Sequence, residues 1–148
     1  MDAMVISMRV TAPDRRIARV SIGSRQFSIG RPLEFDDASP HVAAMEYALG
    51  AVGGEVVNGI RAFAARRRLE IDAIEAVVTG ELAGGLTYLE VIGEDGTPRI
   101  ARIHVKVFVA AEKGAAVAAL FEHVLQRLPL VGTLRDAVDL QVELVLNS

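Results

Sequence analysis

The chain of 148 residues contains no cysteine and no tryptophan. Without cysteine there is no disulfide, no thiolate metal site and no thiol nucleophile. Aromatic residues make up 5% of the total, too few for the stacked ring platforms that hold single-stranded nucleic acid. Basic excess is missing too. The 16 Lys and Arg against 19 Asp and Glu leave a net charge of −3, so no basic face for nucleic acid is expected. No apolar run reaches the roughly 18 residues that a membrane helix needs. The first residues lack the basic-then-apolar layout of a signal peptide, so a cytoplasmic location is expected. His41, His104 and His123 are scattered, with no His-x-His or His-x-x-x-His pair and no carboxylate at ligand spacing. No metal site is expected from them, only surface or capping roles. Nucleophile-elbow, P-loop and dinucleotide patterns are absent, and no cofactor is expected.

What is present is apolar. Residues of that kind make up 51% of the chain, and mean hydropathy is +0.34. Such a surplus is buried either within the monomer or in an oligomer. The length suits one domain, 1–148, with a real core.

Periodicity gives the elements. Met4–Val10, Ile17–Ile22 and Gln26–Ile29 read as strands of an antiparallel meander, separated by Ala12-Pro13-Asp14 and Gly23-Ser24 turns. Ser39–Leu69 reads as one long helix. Ser39 is its N-cap, Pro40 its first residue, Glu34, Asp36 and Asp37 precede it, and Arg66-Arg67-Arg68 closes it. The basic triplet reads as a solvated last turn or as a phosphate or nucleic-acid contact. Ile71–Leu82 reads as a strand. Leu86–Ile92 and Arg99–Ala110 read as a hairpin about Asp95-Gly96, with Ile103, Val105, Val107 and Val109 on one face. Ala111–Leu128 reads as a second helix that Pro129 stops, and Val138–Leu146 as a closing strand. The order βββ–α–βββ–α–β is an α+β chain of mostly antiparallel strands with a long central helix and a second helix.

Two stretches resemble one family. Glu46-Tyr47-Ala48-Leu49-Gly50-Ala51-Val52-Gly53-Gly54-Glu55 is similar to the central-helix motif of OsmC/Ohr proteins (osmotically inducible and organic hydroperoxide resistance proteins), which ends in Gly-Gly-Cys. Phe63-Ala64-Ala65-Arg66-Arg67 falls on that family's aromatic-Ala-x-Arg run. Leu128-Pro129-Leu130-Val131-Gly132-Thr133-Leu134 is similar to its Cys-Pro-Val-x-x-Thr-Leu. The resemblance implies an OsmC-like fold, an intertwined homodimer, and a thiol peroxidase in which one cysteine attacks the peroxide and a second resolves the sulfenic acid. Here the attacking position holds Glu55 and the resolving position Leu128. A register anchored on Ser39-Pro40 would instead place Ala51 at the attacking position. The Glu55 register implies a helix that starts one turn earlier than usual. In either register the chain has no thiol, and thiol peroxidase chemistry is excluded.

Glu55 then has several readings. It is a general acid or base in an apolar pocket on a non-redox enzyme, a group that orients a bound ligand, a partner of Arg31 or Arg61, or a satisfied structural residue salt-bridged in the dimer core or at its edge. Arg31 enters because the family uses an arginine from its N-terminal half near the cysteine. Glu46 matches a family glutamate and otherwise reads as a solvated helix carboxylate. Tyr47 and Tyr88 read as core or rim residues, or as hydrogen-bond partners of a ligand. Gly50, Gly53, Gly54 and Gly59 each cost about 1 kcal/mol in a helix relative to Ala. Close helix packing across a homodimer accounts for them, with a ligand-facing backbone as the alternative. The expected partners are a second copy of the chain and a small apolar ligand, with no nucleic acid and no membrane. A purely structural or protein-interaction dimer stands beside the ligand-binding reading.

Overall fold

The computed structural model describes residues 3–31 and 39–147. Pro32 and the acidic stretch with Glu34, Asp36 and Asp37 lie outside the described residues. The chain forms two compact units, Met1–Ala48 and Leu49–Ser148.

The first unit carries the meander β1 (Arg9–Thr11), β2 (Ile17–Ile22) and β3 (Arg25–Gly30), all antiparallel. The β1–β2 turn is held by Asp14, whose Oδ1 accepts the amides of Arg16 (2.6 Å) and Ile17 (3.2 Å). The Arg16 amide, foremost, holds the Asp14 carboxyl below its ordinary range. Gly23 takes φ +58° in the β2–β3 turn, a left-handed conformation that costs glycine little. The expected strand Met4–Val10 shrinks to Arg9–Thr11. Arg9 pairs with Ser21, so the residues before Met8 would need partners beyond Ile22, where β2 has already turned. Met4, Val5 and Ile6 are left 90%, 87% and 71% exposed.

The long helix α1 runs Ala44–Arg66 rather than Ser39–Leu69. Its start is delayed by β3. The Gly30 amide donates to the Val42 carbonyl (2.8 Å), and Gly30 bridges Ala43. Residues 42–43 are therefore extended and cannot yet be helical. Gly30 is required there, since a Cβ would lie 2.6 Å from that of His41. Ser39 caps nothing in α1; its Oγ accepts the His41 amide (3.4 Å). The far end is a Schellman turn: Leu69 N–H donates to the Ala64 carbonyl and Arg68 N–H to that of Ala65. The left-handed residue is Arg68, at φ +55°, where glycine is usual.

The second unit holds β4 (Ala73–Ala83), α2 (Gly85–Tyr88), β5 (Arg99–Ala110), α3 (Gly114–Leu125), α4 (Pro129–Leu134) and β6 (Asp139–Asn147). Strand β5 is central, antiparallel to β4 and parallel to β6. Its inward residues Ile103, Val105, Val107 and Val109 are at most 2% exposed. Onto them pack Val52, Val56, Ile60 and Ala64 of α1, spaced by four, and Val117, Leu120, Phe121 and Val124 of α3.

Two expectations fail here. Leu86–Ile92 is not a strand. Strand β4 itself continues to Ala83 and pairs with the start of β5 (Leu82 with Ile100, Ala83 with Arg99), so the slot is taken. The intervening stretch is one helical turn and irregular chain, with left-handed Gly84, Glu90, Gly93 and Gly96. The second helix ends at Leu125, and Pro129 does not merely stop it but opens α4 as its first residue.

Replacing Arg68 with glycine removes the left-handed strain of a side-chain-bearing residue. Arg68→Gly is expected to raise stability by about 1 kcal/mol in urea denaturation. A loss would show that the Arg68 side chain packs usefully.

Candidate functional site

Helix α4 begins badly by its own sequence. Its N-cap is Leu128, in extended conformation, with no side-chain oxygen to offer. A helix start leaves its first amides without partners, and burying them unpaired costs about 1–3 kcal/mol. Glu55 resolves this from across the core. Its Oε1 accepts the amides of Leu130 and Val131 (both 3.1 Å), and its Oε2 accepts that of Leu130 (3.0 Å). Glu55 can reach because it flanks the buried Val52–Val56 stripe of α1 and is itself half-buried. A carboxylate on the amides of a helix start is a charge-assisted cap.

Leu128 sits beside this cap and is 7% exposed. Its Cδ2 lies 2.6 Å from where a Cβ on Gly59 would be, and Val124 Cγ1 lies 3.3 Å from that point. Gly59 is thus the notch that Leu128 fills. The structure brings Glu55 and Leu128 together at the start of α4, one as cap and the other as core.

The remaining expected residues are placed as follows. Glu46 Oε1 accepts the Ala43 amide (2.9 Å) from an exposed position in the first turn of α1, the reciprocal half of a capping box. Arg31 Nε donates to the Arg15 carbonyl (3.3 Å) within the first unit. Arg61 is exposed. Gly53 faces strand β4, where a Cβ would meet Val78 Cγ2 at 2.5 Å. Gly50 and Gly54 face open space within this chain. Ala51, the alternative register position, is exposed on α1. Tyr47 packs its ring on Phe27 (5.2 Å), and Tyr88 is 41% exposed.

The outward face of the second sheet is charged. Arg102 pairs with Glu81 (3.5 Å) and Asp139 (3.1 Å), and His104 Nε2 lies 3.2 Å from Glu143. Their side chains are 39–60% exposed, and each pair contributes about 0–1 kcal/mol. Glu81, Arg102 and His104 line a shallow groove with Thr79 and Gln141. Among the described residues no three His, Asp or Glu side chains gather as metal ligands would.

The Glu55 cap was missed in the sequence because its partner lies 75 residues away. The only local signal was negative: Leu-Pro opens a helix with no capping side chain before it.

A family described as OsmC-like protein matches residues 36–143. Solved structures share the architecture. An OsmC-like protein from Mycoplasma pneumoniae superposes with TM-score 0.78 at 14% identity, with all of both chains covered. An organic hydroperoxide resistance protein OsmC from Legionella pneumophila gives 0.70 at 10% identity, covering 96% of this chain and 98% of that one. The organic hydroperoxide resistance protein OhrB of Bacillus subtilis gives 0.61 at 17%, covering 94% and 98%. No curated protein sequence matches the chain.

Replacing Glu55 with Ala leaves the Leu130 and Val131 amides without a carboxylate. Glu55→Ala is expected to lose about 1–2 kcal/mol in urea denaturation, and Glu55→Gln, which keeps one acceptor, less than that. Equal stability of all three proteins would show that the cap contributes nothing.

Proposed function

We propose that this chain, which belongs to the OsmC-like family, is a redox-silent member: a cytoplasmic homodimer that keeps the fold, as one domain, and uses it to bind a small apolar ligand. The observation that carries the reading is the Glu55 cap. On the alignment read from the sequence, Glu55 and Leu128 stand where the family has its attacking and resolving cysteines. Both side chains are committed to holding α4, and the chain has no cysteine elsewhere. A carboxylate whose two oxygens accept backbone amides is a poor candidate for a general base, which needs a lone pair aimed at substrate. This favours the structural reading of Glu55 over an enzyme of another class.

The homodimer reading is supported by what α1 leaves uncovered. Gly50 and Gly54, one turn apart, meet nothing within their own chain, and Ala44, Ala48, Ala51 and Ala62 are exposed on the same helix. Small residues at this spacing let a second helix approach closely. An interaction role without a ligand is favoured by a separate observation: Leu86, Leu89, Val91 and Ile92 of the β4–β5 connection are exposed, Ile92 fully. Among the described residues no helix is long and apolar enough to cross a membrane.

Two measurements test the reading. The protein is expected to consume cumene hydroperoxide with dithiothreitol no faster than buffer does, and turnover above that background would end it. Sedimentation velocity is expected to give a dimer that Gly54→Ala weakens. A solvent-facing Gly54 would instead gain up to about 1 kcal/mol of stability from the same substitution.

A further inference from the structure

A second feature, unrelated to Glu55, lies wholly within the second unit. A shallow, solvent-open groove of about 450 Å³ runs beside the end of α1 and the outer side of α3, lined by Arg67, Leu69, Ala116, Ala119, Leu120 and His123. Its open side suits a ligand that lies along it rather than one that is enclosed. Its composition is split. Leu69, Ala116, Ala119 and Leu120 form an apolar floor, and the small alanines, three residues apart on α3, keep it a trough. Arg67 and His123 form a polar wall.

The polar wall is assembled on one ring. Phe63 is half-buried, and three nitrogen-bearing side chains converge on it: Arg66 with its guanidinium 4.8 Å from the ring centre, Arg67 at 5.9 Å, and His123 edge-on at 5.7 Å and 70°. Arg67 Nη1 also donates to the Phe63 carbonyl (3.4 Å), which anchors the guanidinium itself and takes up one of its N–H donors. Among the described residues neither Arg66 nor Arg67 enters an ion pair. Like charges gathered beside the carbonyl end of a helix gain from the macrodipole, yet still lack a counter-ion.

We propose that this groove binds a single-chain aliphatic carboxylate, its head on Arg67 and His123 and its tail along Leu69, Ala116, Ala119 and Leu120. With one Nη1–H on the Phe63 carbonyl, the Arg67 guanidinium keeps four further N–H donors, which suits a carboxylate. The alanine trough beside it removes an alkyl chain from water. A bare inorganic anion would leave the floor unused, and a neutral apolar molecule would leave the arginines unused. A nucleic acid would meet a chain of net charge −3.

The test is calorimetric titration of the full chain with sodium octanoate, below its aggregation concentration, beside octanol, inorganic phosphate and phosphatidylglycerol vesicles. Octanoate is expected to saturate at one site per chain and to bind at least about tenfold more tightly than octanol or phosphate. Arg67→Gln is expected to weaken it about tenfold, and Ala119→Trp, which fills the trough from an exposed position, to abolish it. Amide NMR shifts on octanoate addition are expected at Ala116, Ala119 and His123 in the wild type, so the site is read even if a variant folds poorly. Glu55→Ala is expected to leave octanoate binding unchanged, which separates this inference from the reading of Glu55. Binding unaffected by Arg67→Gln, shifts located elsewhere, phosphate binding as tightly as octanoate, or binding to vesicles alone would overturn the proposal.

Discussion

Three hydrogen bonds from the amides of Leu130 and Val131 to Glu55 tie the long helix to the short one, and the return of the chain depends on them. Strand β6 runs parallel to β5, so after β5 the chain must cross back to the starting end of the sheet before it can pair. Helix α3 makes most of that crossing and α4 makes the corner. A helix of six residues supplies little stability of its own, and this one lacks an N-cap side chain. What holds it is external: the Glu55 carboxylate on its first amides, and Leu128 and Val131 in the core. The corner then delivers Val138 and the alternating Leu140, Val142 and Leu144 to the sheet's inner face.

The same constraint explains why a glutamate is tolerated on the flank of a buried helical stripe. An isolated carboxylate there would be costly to desolvate. Here it faces two unpaired donors of a helix start, which are themselves costly to bury. Each group satisfies the other, and no arginine is needed. Both Glu55 oxygens are engaged by backbone amides, Oε1 by two and Oε2 by one. Leu128, the residue before α4, is seated in the Gly59 notch and so ties the same corner to α1 by packing.

Much of the fold was legible because local pattern and tertiary demand agree. Ile17–Ile22 and Arg99–Ala110 form strands with the bounds that alternation assigns. The inward set Ile103, Val105, Val107 and Val109 is likewise as read. The failures lie where a distant partner decides. Leu86–Ile92 has strand composition, but β4 already occupies the edge of β5, and periodicity cannot register an occupied edge. Ser39-Pro40 carries good helix-start chemistry, yet the bridge from Gly30 to Ala43 holds residues 42–43 extended and delays the helix to Ala44.

The glycines of α1 show how far composition alone can carry an argument. All four are equally costly to the helix, and in the sequence they look equivalent. In the structure Gly53 and Gly59 are consumed internally, by Val78 of β4 and by Leu128 with Val124. Their cost is offset within the chain by close packing, so they say nothing about a partner. Gly50 and Gly54 have no such offset in their own chain. A helix that keeps two uncompensated glycines one turn apart, amid exposed alanines, sacrifices about 2 kcal/mol of intrinsic propensity there. A close approach by another helix would recover that loss, because small residues admit backbone-to-backbone contact. The argument for a second copy therefore rests on Gly50 and Gly54 alone.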